Sequence, residues 1–211
     1  MKIKERMDRT PVRQFQTEDF LAVEVPVGVS GRHIHLCRED IDALFGPGYE
    51  LAVYRELSQP GEFAAREMVT LVGPRGVLEG VRVLGPVRAY TQVEVAMTDG
   101  FRLGLKPPVR ESGDLEGTPG IAVVGPAGAI NLPRGVILAA RHIHMETERA
   151  QALGLQDDQQ VQVWVPGVRE LVLCNVIIRT NPHFRLELHL DTDEANAALL
   201  SGGDKVKILR P

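Results

Sequence analysis

The tetrapeptide Arg-His-Ile-His occurs twice in this chain, at residues 32–35 and 141–144. One copy follows a short apolar run at 25–29, the other a run at 136–139, and each leads into a short helical segment that stops at a glycine. Four identical consecutive residues containing two histidines are a poor product of chance in a chain with six histidines. A second echo supports the repeat: Leu71-Val72-Gly73-Pro74-Arg75-Gly76 resembles Val123-Val124-Gly125-Pro126-Ala127-Gly128. A chain built this way is expected to fold as two related modules about a pseudo-twofold.

The text between these landmarks reads as strands. Short β-like runs at 68–72, 77–84, 91–97, 121–124, 136–140, 161–165, 171–178 and 184–190 are separated by the 21 glycines and 14 prolines, where turns need them. Several alternate polar and apolar residues with period two, as in Arg185-Leu186-Glu187-Leu188-His189-Leu190. Short helices are expected at 38–45, 146–153 and about 193–200, each closed by glycine. The fold class is therefore mainly β: two β-barrel subdomains, closed or nearly closed and antiparallel, related by an internal repeat and capped by short α-helices.

With 211 residues, 44% of them hydrophobic, there is enough chain for two cores of ordinary size. A formal net charge of −4 argues against a general nucleic-acid binder. No run of about 18 apolar residues exists to span a membrane. The first twenty residues are charged, lack a signal-peptide apolar core and are expected to be a flexible leader. Cys37 and Cys174 match neither a disulfide framework nor a C-x-x-C site and are expected to be reduced packing residues.

The histidines carry the chemistry. On a strand, residues i and i+2 share a face, so His33 with His35, and His142 with His144, can each converge on one ion, leaving Ile34 and Ile143 to pack inward. A third ligand has to come from elsewhere. Glu94 and His189 occupy similar positions near the ends of two similar strands, which completes a His₂Glu set and a His₃ set, both open to a further ligand as in catalytic zinc sites. Ligand type alone also admits iron or another divalent metal. Glu187 is expected to be a solvated strand carboxylate and His183 an exposed turn residue. Arginines at 32, 82, 88, 110 and 141 offer bidentate contacts to anions, though arginines on turns are usually solvated.

Taken together, residues 27–36, 81–88, 91–94, 141–145 and 189–196 resemble the phosphate propanoyltransferase (PduL-type phosphotransacylase) family, over about residues 22–209. The resemblance implies two β-barrels capped by short helices, one built from residues 21–31 plus 140–209 and the other from 32–139. It implies a phosphate acyltransferase that interconverts a short-chain acyl-CoA (propanoyl-CoA or acetyl-CoA) plus phosphate with acyl phosphate plus CoA. Two zinc ions per chain are implied, one on His33, His35 and Glu94 and one on His142, His144 and His189. Arg88 matches the phosphate-binding, catalytic arginine. Ser30, Arg82, Leu84, His189 and Asn196 match positions lining the CoA pocket, and Arg55 stands where a lysine is often found.

Family members of bacterial microcompartments carry an amphipathic N-terminal peptide, and residues 1–20 depart from that pattern. The expectation is a cytoplasmic enzyme with no nucleic-acid or membrane partner, open to homo-oligomerisation and to association with microcompartment shell or cargo. Two other readings fit the residues: a zinc-dependent hydrolase of thioesters or phosphate esters, since open zinc sites activate water, and a non-catalytic, metal-stabilised barrel. No role is assigned to Arg32 or Arg141.

Overall fold

The computed structural model describes residues 14–210, so residues 1–13 of the expected leader lie outside the described residues. From Phe15 onward the leader packs: its ring sits 6.1 Å from Trp164, and a 3-10 turn at Thr17–Asp19 leads into the first strand. Among the described residues no helix is long and apolar enough to cross a membrane.

The chain begins with β1 (Phe20–Ser30), which runs into β2 (His33–His35) and α1 (Arg38–Phe45). Next come β3 (Val53–Glu56), β4 (Phe63–Val72), β5 (Val77–Gly85), β6 (Gln92–Glu94), α2 (Met97–Leu103) and β7 (Val109–Arg110). Strands β8 (Ile121–Val124), β9 (Ala129–Leu132) and β10 (Val136–Ala139) lead to β11 (His142–Met145) and α3 (Thr147–Ala152). The remainder is β12 (Gln160–Val165), β13 (Leu171–Thr180), β14 (Glu187–Asp191), α4 (Thr192–Ala198) and β15 (Lys205–Leu209).

These strands form a closed barrel in the order β1-β14-β11-β13-β12-β15 and a curled sheet in the order β7-β10-β6-β2-β5-β4-β8-β9, with β3 beside β4. Each encloses its own apolar cluster, with Val25, Ile143, Met145, Ile178 and Leu188 in the barrel and Ile34, Leu36, Leu71, Val83 and Val93 in the sheet. Mainly β architecture with short capping helices agrees with the sequence reading. The expected antiparallel pairing does not hold throughout. β1 pairs parallel with β14, β10 with β6 and β7, β2 with β5, and β11 with β13.

Every parallel pair includes a strand on one side of a crossing between the barrel and the sheet. β1 belongs to the barrel but feeds β2 of the sheet, whereas β10 belongs to the sheet but feeds β11 of the barrel. Both crossings fall beside a motif arginine. The repeat survives in the register: His33 lies opposite Glu94 and His142 opposite His189, in antiparallel pairs of the same form.

One helix escaped the sequence reading. Residues 91–97 looked like one strand, but β6 ends at Glu94 and α2 begins at Met97. Asp99 stabilises that start by accepting the backbone N–H of Ala96, and Gly104 ends the helix in the left-handed conformation that glycine tolerates. Gly100 in the middle of the segment masks its helical character, because glycine is a poor helix former. The edge strands β3, β7 and β9 were also missed, being short and largely exposed. Cys174 departs from its expected packing role and is exposed, while Cys37 is half-buried. Asn175, next to Cys174, has φ +55°, and the in-out alternation of β13 breaks there.

The Gly-Pro-x-Gly echoes are matched grips on helix ends. At 73–76 and at 125–128 the first glycine N–H donates to the last glycine carbonyl, at 2.9 Å in both. The third residue then donates to the helix: Arg75 N–H to Leu103 O of α2, and Ala127 N–H to Leu44 O of α1. A side chain at Gly125 would bring a Cβ to 2.5 Å from Leu44 O, closer than packed atoms allow. Gly125→Ala is expected to lower unfolding free energy by about 1–3 kcal/mol, as overpacking does. Urea denaturation checks this, and an unchanged midpoint would mean that the turn is not fitted to α1.

Candidate active site

A cavity of about 630 Å³ lies between the barrel and the sheet. Both histidine pairs, Glu94, His189, Arg88, Ser30, Arg55 and Leu84 line it, so the strand alternation that buries Ile34 and Ile143 aims all the paired imidazoles into one space. Arg82 and Asn196 are not among its lining residues. Arg82 donates to the Ala65 and Arg66 carbonyls and stacks over Tyr54, and Asn196 is exposed on α4.

Two groups of donors in this cavity could each hold a metal: His33, His35 and Glu94, and His142, His144 and His189, with the ligand atoms of each group within 4.8 Å of one another. In the first, His33 Nε2 is 3.4 Å and His35 Nε2 4.0 Å from the Glu94 carboxylate. Tetrahedral ligands bonded at zinc distances stand about 3.3 Å apart, so small adjustments bring these onto one ion. Backbone carbonyls set the tautomers by the same i−2 contact in both repeats. His33 Nδ1 sits 2.9 Å from Gly31 O and His142 Nδ1 2.8 Å from Ala140 O, which leaves each Nε2 lone pair free for a metal. Among the described residues, the nitrogens His35 Nδ1, His144 Nδ1 and His189 Nε2 are buried without a hydrogen-bond partner. Unpaired polar atoms of that kind are costly and fit a site built for an additional ligand.

The third members of the two groups are unlike, and so are their supports. Gln92, two residues before Glu94 on the same face of β6, donates to the Glu94 carboxylate at 2.6 Å. Its amide is fixed by Ser112 and by the Gly113 N–H. Glu187, two residues before His189 on β14, places Oε2 2.9 Å from His189 Nε2, close but without hydrogen-bond alignment, and receives the Ser58 hydroxyl. An amide donor thus faces the carboxylate of the first group, and a carboxylate faces the third imidazole of the second.

The electrostatics favour neutral imidazoles. Burial and the neighbouring His33 hold His35 down to about 4, and burial and His189 hold His142 down to about 4. Burial, with His142 and His189 beside it, holds His144 at about 2. Burial also opposes the charged form of His33, but Glu94, the Gly31 carbonyl and Glu62 together outweigh it and raise its pKa. Glu94 sits at about 2: burial disfavours its anion, but His33 and His35 more than compensate. Neutral histidines and an ionised carboxylate are the forms that ligate metals.

Several residues here were not anticipated. Glu187 is not solvated: its side chain is 16% exposed and packed against Ser58 and His189. Its i−2 relation to His189, the same spacing as in His-Ile-His, was the available signal. Arg179 lines the cavity and pairs with Glu111 at 2.5 Å, and Phe184 stacks on His144 at 4.2 Å. The β3–β4 turn reaches across from the sheet, where Gln59 exchanges two hydrogen bonds with the Arg185 backbone and Glu62 holds Arg88 at 2.6 Å. His183 is exposed, as expected of a turn residue.

Three histidines with depressed pKa values make metal-free protein acid-sensitive. A group whose folded pKa lies below its unfolded value stabilises above the unfolded value and loses that stabilisation as pH falls toward the folded one. His35, His142 and His144 act in this sense from about pH 6.5 downward, whereas His33, Asp191 and Glu194, whose pKa values are raised, act oppositely. In chelator, the urea midpoint is expected to fall between pH 7 and pH 5. A midpoint that rises over that interval would contradict the burial of neutral imidazoles.

The chain is similar to known proteins along most of its length. A phosphate propanoyltransferase family model matches residues 26–201. A phosphate propanoyltransferase of Thermotoga maritima is 58% identical over 184 residues, covering 87% of this chain and 88% of the relative. Relatives of the same name from Priestia megaterium and Rhodopseudomonas palustris are 54% and 51% identical, covering 85% and 89% of this chain and 83% of each relative. The chain belongs to the phosphate propanoyltransferase family.

Proposed function

We propose that this acyltransferase moves a propanoyl group between coenzyme A and inorganic phosphate, with its two ligand triads holding zinc. The observation that carries the reading is the convergence of both triads and Arg88 on one cavity large enough for the reacting ends of two substrates. Bound there, zinc would supply a Lewis acid for the thioester carbonyl and a coordination position for the thiolate. The reaction balances without a covalent enzyme intermediate: a phosphate oxygen forms a bond to the acyl carbon, the carbon–sulfur bond breaks, and the electron pair leaves with sulfur.

The chain's own residues bind and orient. Arg88 presents a planar guanidinium to phosphate. Ser30, Arg55 and Leu84 line the cavity and are assigned to the CoA side with His189. Arg82 and Asn196, lying outside the lining, are assigned to CoA only where it extends beyond the cavity. Glu62 occupies the anion position on Arg88, so phosphate has to displace a carboxylate before it binds. Fixing two reactants side by side supplies much of the rate advantage.

Free-thiol release from propanoyl-CoA is expected to require phosphate, and to persist with acetyl-CoA because one methylene is worth only about 1–3 kcal/mol of discrimination. Thiol release at full rate without phosphate would indicate a hydrolase instead. Arg88→Ala is expected to reduce kcat by at least about a hundredfold, the scale of losing a transition-state donor, with zinc content unchanged. Glu62→Gln is expected to lower the KM for phosphate by about two- to five-fold, the scale of an exposed ion pair. A raised KM would show that Glu62 orients Arg88 and does not compete for it.

A further inference from the structure

The two motif arginines make the same contact in both halves. Arg32 Nη2 lies 2.8 Å from Asp99 Oδ1, and Arg141 Nε lies 3.4 Å from Glu194 Oε1. Asp99 stands five residues after Glu94, and Glu194 stands five residues after His189. Both carboxylates hold the first turn of the helix that follows the third-ligand strand: Asp99 accepts the Ala96 N–H, and Glu194 accepts the Asp191 N–H at 3.1 Å. Each arginine immediately precedes its His-x-His pair, where the chain crosses from one half to the other.

The two capping turns also meet. Thr98, beside Asp99, donates its N–H and its hydroxyl to the Asp193 carboxylate, beside Glu194, at 2.8 and 2.7 Å. A continuous polar array therefore runs Arg32–Asp99, Thr98–Asp193, Glu194–Arg141 across the junction of the halves. The Asp99 side chain is only 5% exposed, so loss of its arginine would leave a buried carboxylate without its ion-pair partner.

We propose that Arg32 and Arg141 are positioning residues for the two triads. Each ties the strand bearing a histidine pair to the strand bearing the third ligand, through the capping carboxylate of the helix that continues that second strand. Arg32 sets Glu94 against His33 and His35, and Arg141 sets His189 against His142 and His144. This rests on the zinc reading above. Neither arginine lines the cavity, so neither is given a part in the chemistry.

The test is zinc release from the full chain into a chromophoric chelator, for wild type, Arg32→Ala, Arg32→Lys, Arg141→Ala, Asp99→Asn and the double variant Arg32→Ala/Asp99→Asn. Asp99→Asn retains an oxygen to cap α2 but loses the charge. The wild type is expected to hold two zinc ions that leave in two phases. Arg32→Ala is expected to quicken one phase by about tenfold, the lower end of what a residue supporting a ligand contributes, and to leave the other phase alone. Arg141→Ala should quicken the other phase. Asp99→Asn should match Arg32→Ala, the double variant should be no faster than either, and Arg32→Lys should restore most of the loss. Unchanged phases, or phases quickened equally in every variant, would overturn the inference. A wild type that takes up no zinc would overturn the metal reading itself, and the two failures are told apart by the wild-type arm alone.

Discussion

The structure depends on a constraint set by the period of a β-strand. In His-Ile-His the isoleucine must face one side and both histidines the other. Ile34 and Ile143 are each fully buried in the core of their own half, and that burial fixes which way the imidazoles point. A slip of one residue would expose an isoleucine and bury two histidines in hydrocarbon, so the register is held by the hydrophobic effect itself. The strand exchange then turns both histidine faces toward the junction of the halves. Neither half alone encloses the cavity.

The duplication supplies two similar cradles, and one position makes them chemically different. Glu94 lies opposite His33 where His189 lies opposite His142. The first cradle is therefore anionic and keeps His33 inclined to its proton, whereas in the second burial and neighbouring imidazoles hold His142 and His144 neutral. The residue at i−2 follows suit, with Gln92 donating to a carboxylate and Glu187 standing beside an imidazole. Under the proposed function, unequal sites would suit a reaction whose partners are a soft sulfur and a hard phosphate oxygen.

Much of this was legible in the sequence because it resides in short-range pattern. The duplicated motif, the period-two strands and the matching positions of Glu94 and His189 all follow from spacing along single segments. What was not legible depends on contacts between distant segments. Ser58 on Glu187, Glu62 on Arg88 and Thr98 on Asp193 each join residues far apart in the chain, and nothing local marks them. Helix α2 was hidden by Gly100, and the parallel pairing by a strand exchange that hydropathy does not record. The Gly-Pro-x-Gly echo was visible as a repeat, but both copies belong to one sheet, where they grip two different helices.

The proposed function requires two unequal metal centres facing one cavity. Anomalous diffraction at the zinc edge from crystals of zinc-loaded protein tests it most directly. Two peaks are predicted, one within bonding distance of His33, His35 and Glu94 and the other within bonding distance of His142, His144 and His189. A single shared peak, or peaks confined to surface residues, would contradict the account.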